Sequence, residues 1–223
     1  MRVLSYNVRS LRDDPQAVAR VIRSCEPDVV CIQEAPRFLR WRSKCAALAR
    51  ESGLLVVTGG RTAGGVLLLA SLRTRVLGTR DLRLPRQQGL HQRGLAIGVL
   101  ELDGGTWTVA SMHLGLDPVE RRRHVAEIFA VVADHPTPLV LAGDVNEEAG
   151  EPAWAALSAR LQDAYAVAGT GPGETSSARR PTRRIDAVFA DPGVEVVSCS
   201  VPVIGGRELA TDHLPVLAEL RQR

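Results

Sequence analysis

The chain has 223 residues, of which 45% are hydrophobic and 24% charged, and its formal net charge is +3. This profile excludes a histone-like polycation and fits an ordinary globular protein with enough chain to bury a substantial core. No apolar stretch reaches the ~20 residues of a membrane-spanning helix, and the N-terminus runs into RVLSYNV without a basic and apolar leader; a cytoplasmic protein with no membrane anchor is the expectation.

Strand and helix signals alternate along the chain. RVLSYNV reads as a strand ending near Asn7. DDPQAVARVIRSCEP reads as a helix, with Asp14 as cap, Pro15 in the first turn and Pro27 after its end. DVVCIQE is a buried strand ending at Glu34, and a second helix is expected from about Phe38 to Ser52, stopped by Gly53. A run of β-segments follows: LLVVT, GVLLLAS, RVLGTRDLRL, LAIGVLEL and TWTVASMH, with DGG at Asp103 to Gly105 as a hairpin turn.

After His113 the alternation resumes. Asp117-Pro118 opens a helix with Val125, Ile128, Phe129 and Val132 on one face. PLVLAGDVN is an apolar strand ending at Asp144 to Asn146, and a short helix follows around Trp154, Leu157 and Leu161. GTGPGETSSARRPTRR is the one long irregular segment; RIDAVFA, VEVVSCSVPV and LPVLAEL are strands, the last taken from Leu214 to Leu220. No linker or composition break divides the chain, so one domain over 1–223 is expected. Two halves that each mix helices with strands predict an α+β layered sandwich.

Cys25, Cys31, Cys45 and Cys199 lie in apolar runs without C-x-x-C spacing, and read as small buried hydrophobes. Lys44 is the only lysine, so nearly all the positive charge is arginine, which suits bidentate phosphate contact. An arginine-rich composition also follows from a GC-rich genome.

Asn7, Glu34, His113, Asp144, Asn146, Asp186 and the pair Asp212-His213 all stand at ends or beginnings of expected apolar strands. Each alone has an ordinary structural role: a turn former, a surface acid, a satisfied histidine, a cap. Strand ends are also where a rigid scaffold meets its functional loops. A buried polar group without a partner costs ~1–3 kcal/mol, which makes the whole set harder to explain structurally.

The ordered segments SYNVR, CIQE, SMHL, LAGDVN, RRIDAVF and TDHLPV resemble the endonuclease/exonuclease/phosphatase superfamily across nearly the whole chain. The resemblance implies a four-layer α/β/β/α sandwich of two packed mixed sheets flanked by helices, with the site at one end of the sheets. It implies Glu34, Asn7 and Asp212 at a divalent cation, usually Mg²⁺ with Mn²⁺ as substitute. It implies His213, His113, Asp186, Asp144 and Asn146 as catalytic residues, with Asp186 pairing His213 and Asn146 also at the substrate phosphate. Arg93 is expected to bind that phosphate. Arg9 stands where apurinic endonucleases carry an aspartate, and the chain is compact for the family.

The implied reaction is in-line attack of water on a phosphate ester, with His213 or Asp144 activating the water. A nuclease acting as a monomer on DNA or RNA is the leading expectation. The alternatives are a lipid head-group or small-molecule phosphodiesterase or phosphatase, and an inactive binding module on the same fold. Candidate backbone contacts are Arg83 to Arg93, Arg121 to Arg123 and Ala178 to Arg184. Aromatic residues make up 4% of the chain, and Trp41, Trp107, Trp154 and Phe129 read as structural, leaving few platforms for stacking bases.

Overall fold

The apolar residues switch repeatedly between period two and period 3.6, and strands and helices follow that switching. In chain order the elements are β1 (Arg2–Asn7), α1 (Pro15–Ser24), β2 (Val29–Gln33), α2 (Trp41–Ser52), β3 (Leu55–Gly60), β4 (Val66–Ala70), β5 (Arg75–Arg83), β6 (Gly94–Leu102) and β7 (Gly105–His113). They continue with α3 (Pro118–Val132), β8 (Leu139–Asp144), α4 (Pro152–Ser158), β9 (Gln162–Asp163), α5 (Ala164–Ala168), β10 (Gly169–Thr170), β11 (Asp186–Ala190), β12 (Val194–Ser200), α6 (Arg207–Ala210) and β13 (Val216–Gln222). This computed structural model describes residues 1–133, 135 and 137–222.

The helix starts are fixed chemically. Asp14 accepts from the N–H groups of Gln16 and Ala17, and Asp117 from those of Val119 and Glu120, with a proline next in each case. Between β6 and β7, Asp103 and Gly104 both have positive φ, 50° and 80°, the pair of angles a two-residue hairpin requires.

Two mixed sheets pack face to face. One has the order β10-β12-β13-β1-β2-β4-β3, the other β5-β6-β7-β8-β11-β9. Val3, Val29, Cys31, Leu68, Val109, Val140 and Val188 fill the layer between them. On the outer face of the first sheet Leu4, Tyr6, Val30 and Ile32 pack with α1 and α2 residues such as Ile22 and Leu48. On the outer face of the second, Leu141 and Phe189 pack with α3 and α4 residues such as Ile128 and Trp154. The four-layer sandwich is therefore present, and the four cysteines are free and buried.

Period-two alternation carries straight into the site. In β1, Val3 points between the sheets and Leu4 outward, so Asn7, an even number of residues from Val3, points between them. The same parity applies to His113 with Val109, Asp144 with Val140 and Ala142, and Asp186 with Val188 and Ala190. Each polar residue continues the inter-sheet face of its strand, at the end where the apolar residues stop.

Two expectations shift. The second helix begins at Trp41, leaving Phe38 and Leu39 outside it and exposed. The last strand begins at Val216, not Leu214, so His213 stands in a loop. The 175–178 segment holds that loop: Leu214 N–H donates to Thr175 O at 2.8 Å and Ala178 N–H to Asp212 O at 2.7 Å.

Candidate active site

The ends of β1, β2, β7 and β8 and the start of β11 meet at one edge of the sandwich. β7 and β8 run parallel with His113 beside Asp144, and β8 and β11 run antiparallel with Asp144 facing Asp186. β1 and β2 run parallel in the other sheet and end together at Asn7 and Gln33. Asn7 crosses the sandwich: its Nδ2 donates to Asp144 Oδ2 at 3.0 Å and to Glu34 Oε1 at 3.4 Å. Its Oδ1 accepts from the Arg9 N–H at 3.1 Å, which fixes the amide orientation. Facing two carboxylates with its nitrogen, Asn7 orients them.

Asp144 is the hub. Besides Asn7, its Oδ2 lies 3.3 Å from His113 Nε2 and 3.9 Å from His213 Nε2, while Oδ1 accepts from the Asn146 N–H at 2.9 Å. Burial and the neighbouring Asp186 charge push its carboxyl up to about 7, against the pull of these donors and of His213.

His213 pairs with Asp186, its Nδ1 lying 2.8 Å from Asp186 Oδ2. Burial pulls the imidazolium down, but the Asp186 charge and hydrogen bond, with Asp144 and Asp212, outweigh it and carry His213 up to about 10. Burial pushes His113 the other way, well below the ordinary histidine value, and the Arg93 charge reinforces it. His113 is therefore neutral beside a cationic His213.

Arg93 is only 8% exposed and stands behind His113, with Nη1 3.0 Å from its Nδ1. Asn146 donates to Leu114 O at 3.0 Å, with the same nitrogen 3.1 Å from His113 Nε2. Asp212 is half-exposed, and its Oδ2 pairs with Arg9 Nε at 3.4 Å. Thr211, buried beside it, donates to Asn7 O at 3.1 Å and ties the C-terminal loop to β1.

Thr175 carries no periodic signal in GETSS, yet it is fully buried and its hydroxyl oxygen accepts from the N–H groups of Ile185 and Asp186. Only the fold reveals that support. Glu34 and Asn146 both have positive φ, 51° and 57°, a conformation that costs of order 1–3 kcal/mol and concentrates at functional sites.

A divalent cation fits the carboxylates of this site. Asp144, Asp186 and His213 offer ligand-type atoms within 4.8 Å of one another, among the described residues. Asp186 Oδ1 is buried and makes no hydrogen bond to the protein. Carboxylates packed this closely, with one held at a raised pKa, are the environment a hard cation relieves. A protonated His213 bonded to Asp186 is not itself a ligand.

The arginines divide into two groups. Arg121, expected at the surface, is buried and pairs with Glu147 at 2.8 Å. Arg184 pairs with Asp163 at 2.8 Å and stacks on Trp154 and Tyr165, and Arg183 pairs with Glu148. Among the described residues Arg83 and Arg86, Arg122 and Arg123, and Arg179 and Arg180 make no ion pair with a carboxylate, so each candidate contact segment keeps unneutralised arginine.

The sequence model described as the Endonuclease/Exonuclease/phosphatase family matches residues 4–213. No curated protein sequence matches the chain. Among solved structures, the chain is similar to an endonuclease/exonuclease/phosphatase family protein from Bacteroides thetaiotaomicron, with a TM-score of 0.86, 18% identity, and 100% of this chain and 98% of that chain covered. It is similar to a mannosyl-6-phosphatase from the same organism, at 0.83 and 17% identity, covering 99% of each chain. It is also similar to D. rerio TDP2 complexed with a single-strand DNA product, at 0.78 and 18% identity, covering 100% of this chain and 99% of that one. At these identities the likeness is one of fold.

Proposed function

The chain belongs to the Endonuclease/Exonuclease/phosphatase family, and on that premise we propose that it is a divalent-metal-dependent phosphodiesterase that cleaves nucleic acid by in-line attack of water. One observation carries the reading. A single buried carboxylate, Asp144, is reached from both sheets: by Asn7 at 3.0 Å, His113 at 3.3 Å and His213 at 3.9 Å.

Each residue then has a task. Glu34 and Asp144 would hold the cation, Mg²⁺ or Mn²⁺. The bound cation supplies charge stabilisation at the phosphoryl oxygens. Asp144, raised to about 7, is the base matched to neutral pH and takes the proton of the attacking water. His213, cationic at neutral pH and held by Asp186, stabilises the charge that develops on the phosphate. Asn146 presents an amide N–H to the same phosphate. Asp212 acts from outside the cluster, through Arg9 and through its charge on His213.

Support for nucleic acid as substrate comes from the arginine balance and from the TDP2 neighbour, whose structure holds a single-strand DNA product. The mannosyl-6-phosphatase neighbour supports the second reading, a small-molecule phosphatase. Among the described residues no helix is long and apolar enough to cross a membrane; the proposal takes 1–223 as one catalytic unit, monomeric and cytoplasmic.

The test is a metal-supplemented substrate panel of bis-p-nitrophenyl phosphate, plasmid DNA, abasic duplex, RNA, sphingomyelin, inositol phosphates and a sugar phosphate. Cleavage of a nucleic acid that EDTA abolishes is the expected result. Turnover of monophosphates alone transfers the assignment to the second reading. No turnover with any metal leaves a binding module.

A further inference from the structure

Arg37, Arg61, Arg83 and Arg86 line one cavity of about 420 Å³, together with His91 and Phe38. None of these four arginines lies within ion-pair distance of a carboxylate among the described residues. Nine other arginines, Arg75 and Arg221 among them, do; others such as Arg122, Arg123, Arg179 and Arg180 do not, but they do not share this cavity. Four uncompensated guanidinium groups around one concavity repel one another, and an anion relieves that repulsion.

The cavity is built. Arg37 Nη1 donates to Gly64 O and to Gln92 O, both at 3.3 Å, so its head joins two walls. A side chain at Gly65, whose φ is +96°, would meet the Arg37 stem at 2.7 Å. The loop carrying Arg86 and His91 is pinned from below. Gln87 N–H donates to the buried Glu120 at 3.1 Å, His124 Nε2 lies 2.9 Å from Pro85 O, and Gln92 closes the loop on Leu84 O at 2.8 Å.

The cavity also adjoins the catalytic edge. Arg37 follows Glu34 by three residues, and Gln92 precedes the Arg93 that touches His113. Arg37 is among the charges that, after burial and Arg93, hold His113 below the ordinary histidine value. Phe38, which lines the same cavity, is 78% exposed, an aromatic ring open to solvent.

We propose that this cavity is a binding site for the strand flanking the scissile phosphate, with its arginines on the next backbone phosphates and Phe38 stacked on an unpaired base. Arginine forks match phosphate oxygens, and base–aromatic stacking tolerates any sequence. A base buried in a duplex has no face to offer Phe38, so the site commits to single-stranded nucleic acid. It depends on the phosphodiesterase reading only for its direction toward the catalytic carboxylates.

The test measures binding of a short fluorescein-labelled oligothymidylate by anisotropy in EDTA, across a salt series. Arg61→Gln/Arg86→Gln is expected to weaken binding at least ~10-fold at low salt and to flatten the log–log salt slope by about 0.7 for each arginine removed. Phe38→Ala is expected to weaken it about tenfold. A charge-matched control, Arg75→Gln/Arg221→Gln, is expected to bind as the parent does. Equal losses in cavity and control variants overturn the site, because general charge then explains binding. Full affinity in Phe38→Ala overturns the strand assignment and leaves a site for phosphate without a base. A protein that binds the strand in this way and cleaves no phosphodiester removes the proposed function and leaves this site standing; active enzyme with unaffected cavity variants does the reverse.

Discussion

Nη1 of Arg93 lies 3.0 Å from Nδ1 of His113, and both side chains are buried. A guanidinium has no acceptor, so Nδ1 accepts and the proton of the neutral imidazole sits on Nε2. There it points at Asp144 Oδ2, 3.3 Å away. The Asn146 nitrogen beside Nε2 then keeps its bond to Leu114 O and has its second N–H free for a phosphate oxygen. Arg93 is a positioning residue in this arrangement.

Replacing Arg93 with methionine should release the tautomer and lower kcat at least ~10-fold with a smaller change in KM, while Arg93→Lys, which restores a donor, recovers part of it. Nitrogen-15 spectra of the parent should report His113 protonated at Nε2. A proton on Nδ1 instead excludes this role for Arg93.

His213→Ala should fold normally and lose ~10²-fold activity or more. Near-parental turnover removes His213 from the chemistry.

The pH profile follows from the two opposite shifts. Asp144 is raised to about 7 without metal; activity in the metal-loaded parent should rise as Asp144 ionises and fall as His213 loses its proton near 10. Bound metal, by stabilising the carboxylate, moves the first limb down. Asp186→Asn removes the leading contribution that raises His213, so the falling limb should move to lower pH. Stability follows the same sign. His213 is raised above its unfolded value of 6.5, so its contribution is complete below about 6.5 and disappears as pH climbs through about 10. Thermal midpoints of Asp186→Asn should decline less over that interval than those of the parent. An identical decline in both argues against the pairing.

Divalent metal should raise the thermal midpoint as well as support turnover, because a cation relieves the buried Asp144 and Asp186 charges. At a concentration of 100 times Kd the gain is about 2.7 kcal/mol, which in a chain of this size is several degrees. Glu34→Gln should reduce that shift. A midpoint indifferent to Mg²⁺, Mn²⁺ and EDTA contradicts a metal site here.

Gly143 precedes Asp144 in β8, and a Cβ there would collide with the Met112 carbonyl oxygen of the neighbouring strand. Backbone cannot give way as a side-chain end does. Gly143→Ala should therefore cost roughly 1–3 kcal/mol and lower kcat by displacing Asp144. Denaturant unfolding and kinetics on the same sample check both, and an unchanged midpoint contradicts the packing described.

The sequence by itself determined the strand-and-helix order, the capped helix starts and the polar residues that end the strands. Those features are local: period two, period 3.6 and cap chemistry are written within a few residues. The shared parity of Asn7, His113, Asp144 and Asp186 is also present in the sequence, although it gains meaning only when two sheets face each other. Tertiary structure alone decided which arginines are free, since Arg121 is neutralised by Glu147 and Arg184 by Asp163, each partner about twenty or more positions away. It likewise placed Arg93 behind His113, turned Asp212 toward Arg9 and exposed Phe38. Charge pairing and burial depend on which distant segments the fold brings within a few ångströms, as with Asn7 and Asp144, 137 residues apart and joined at 3.0 Å.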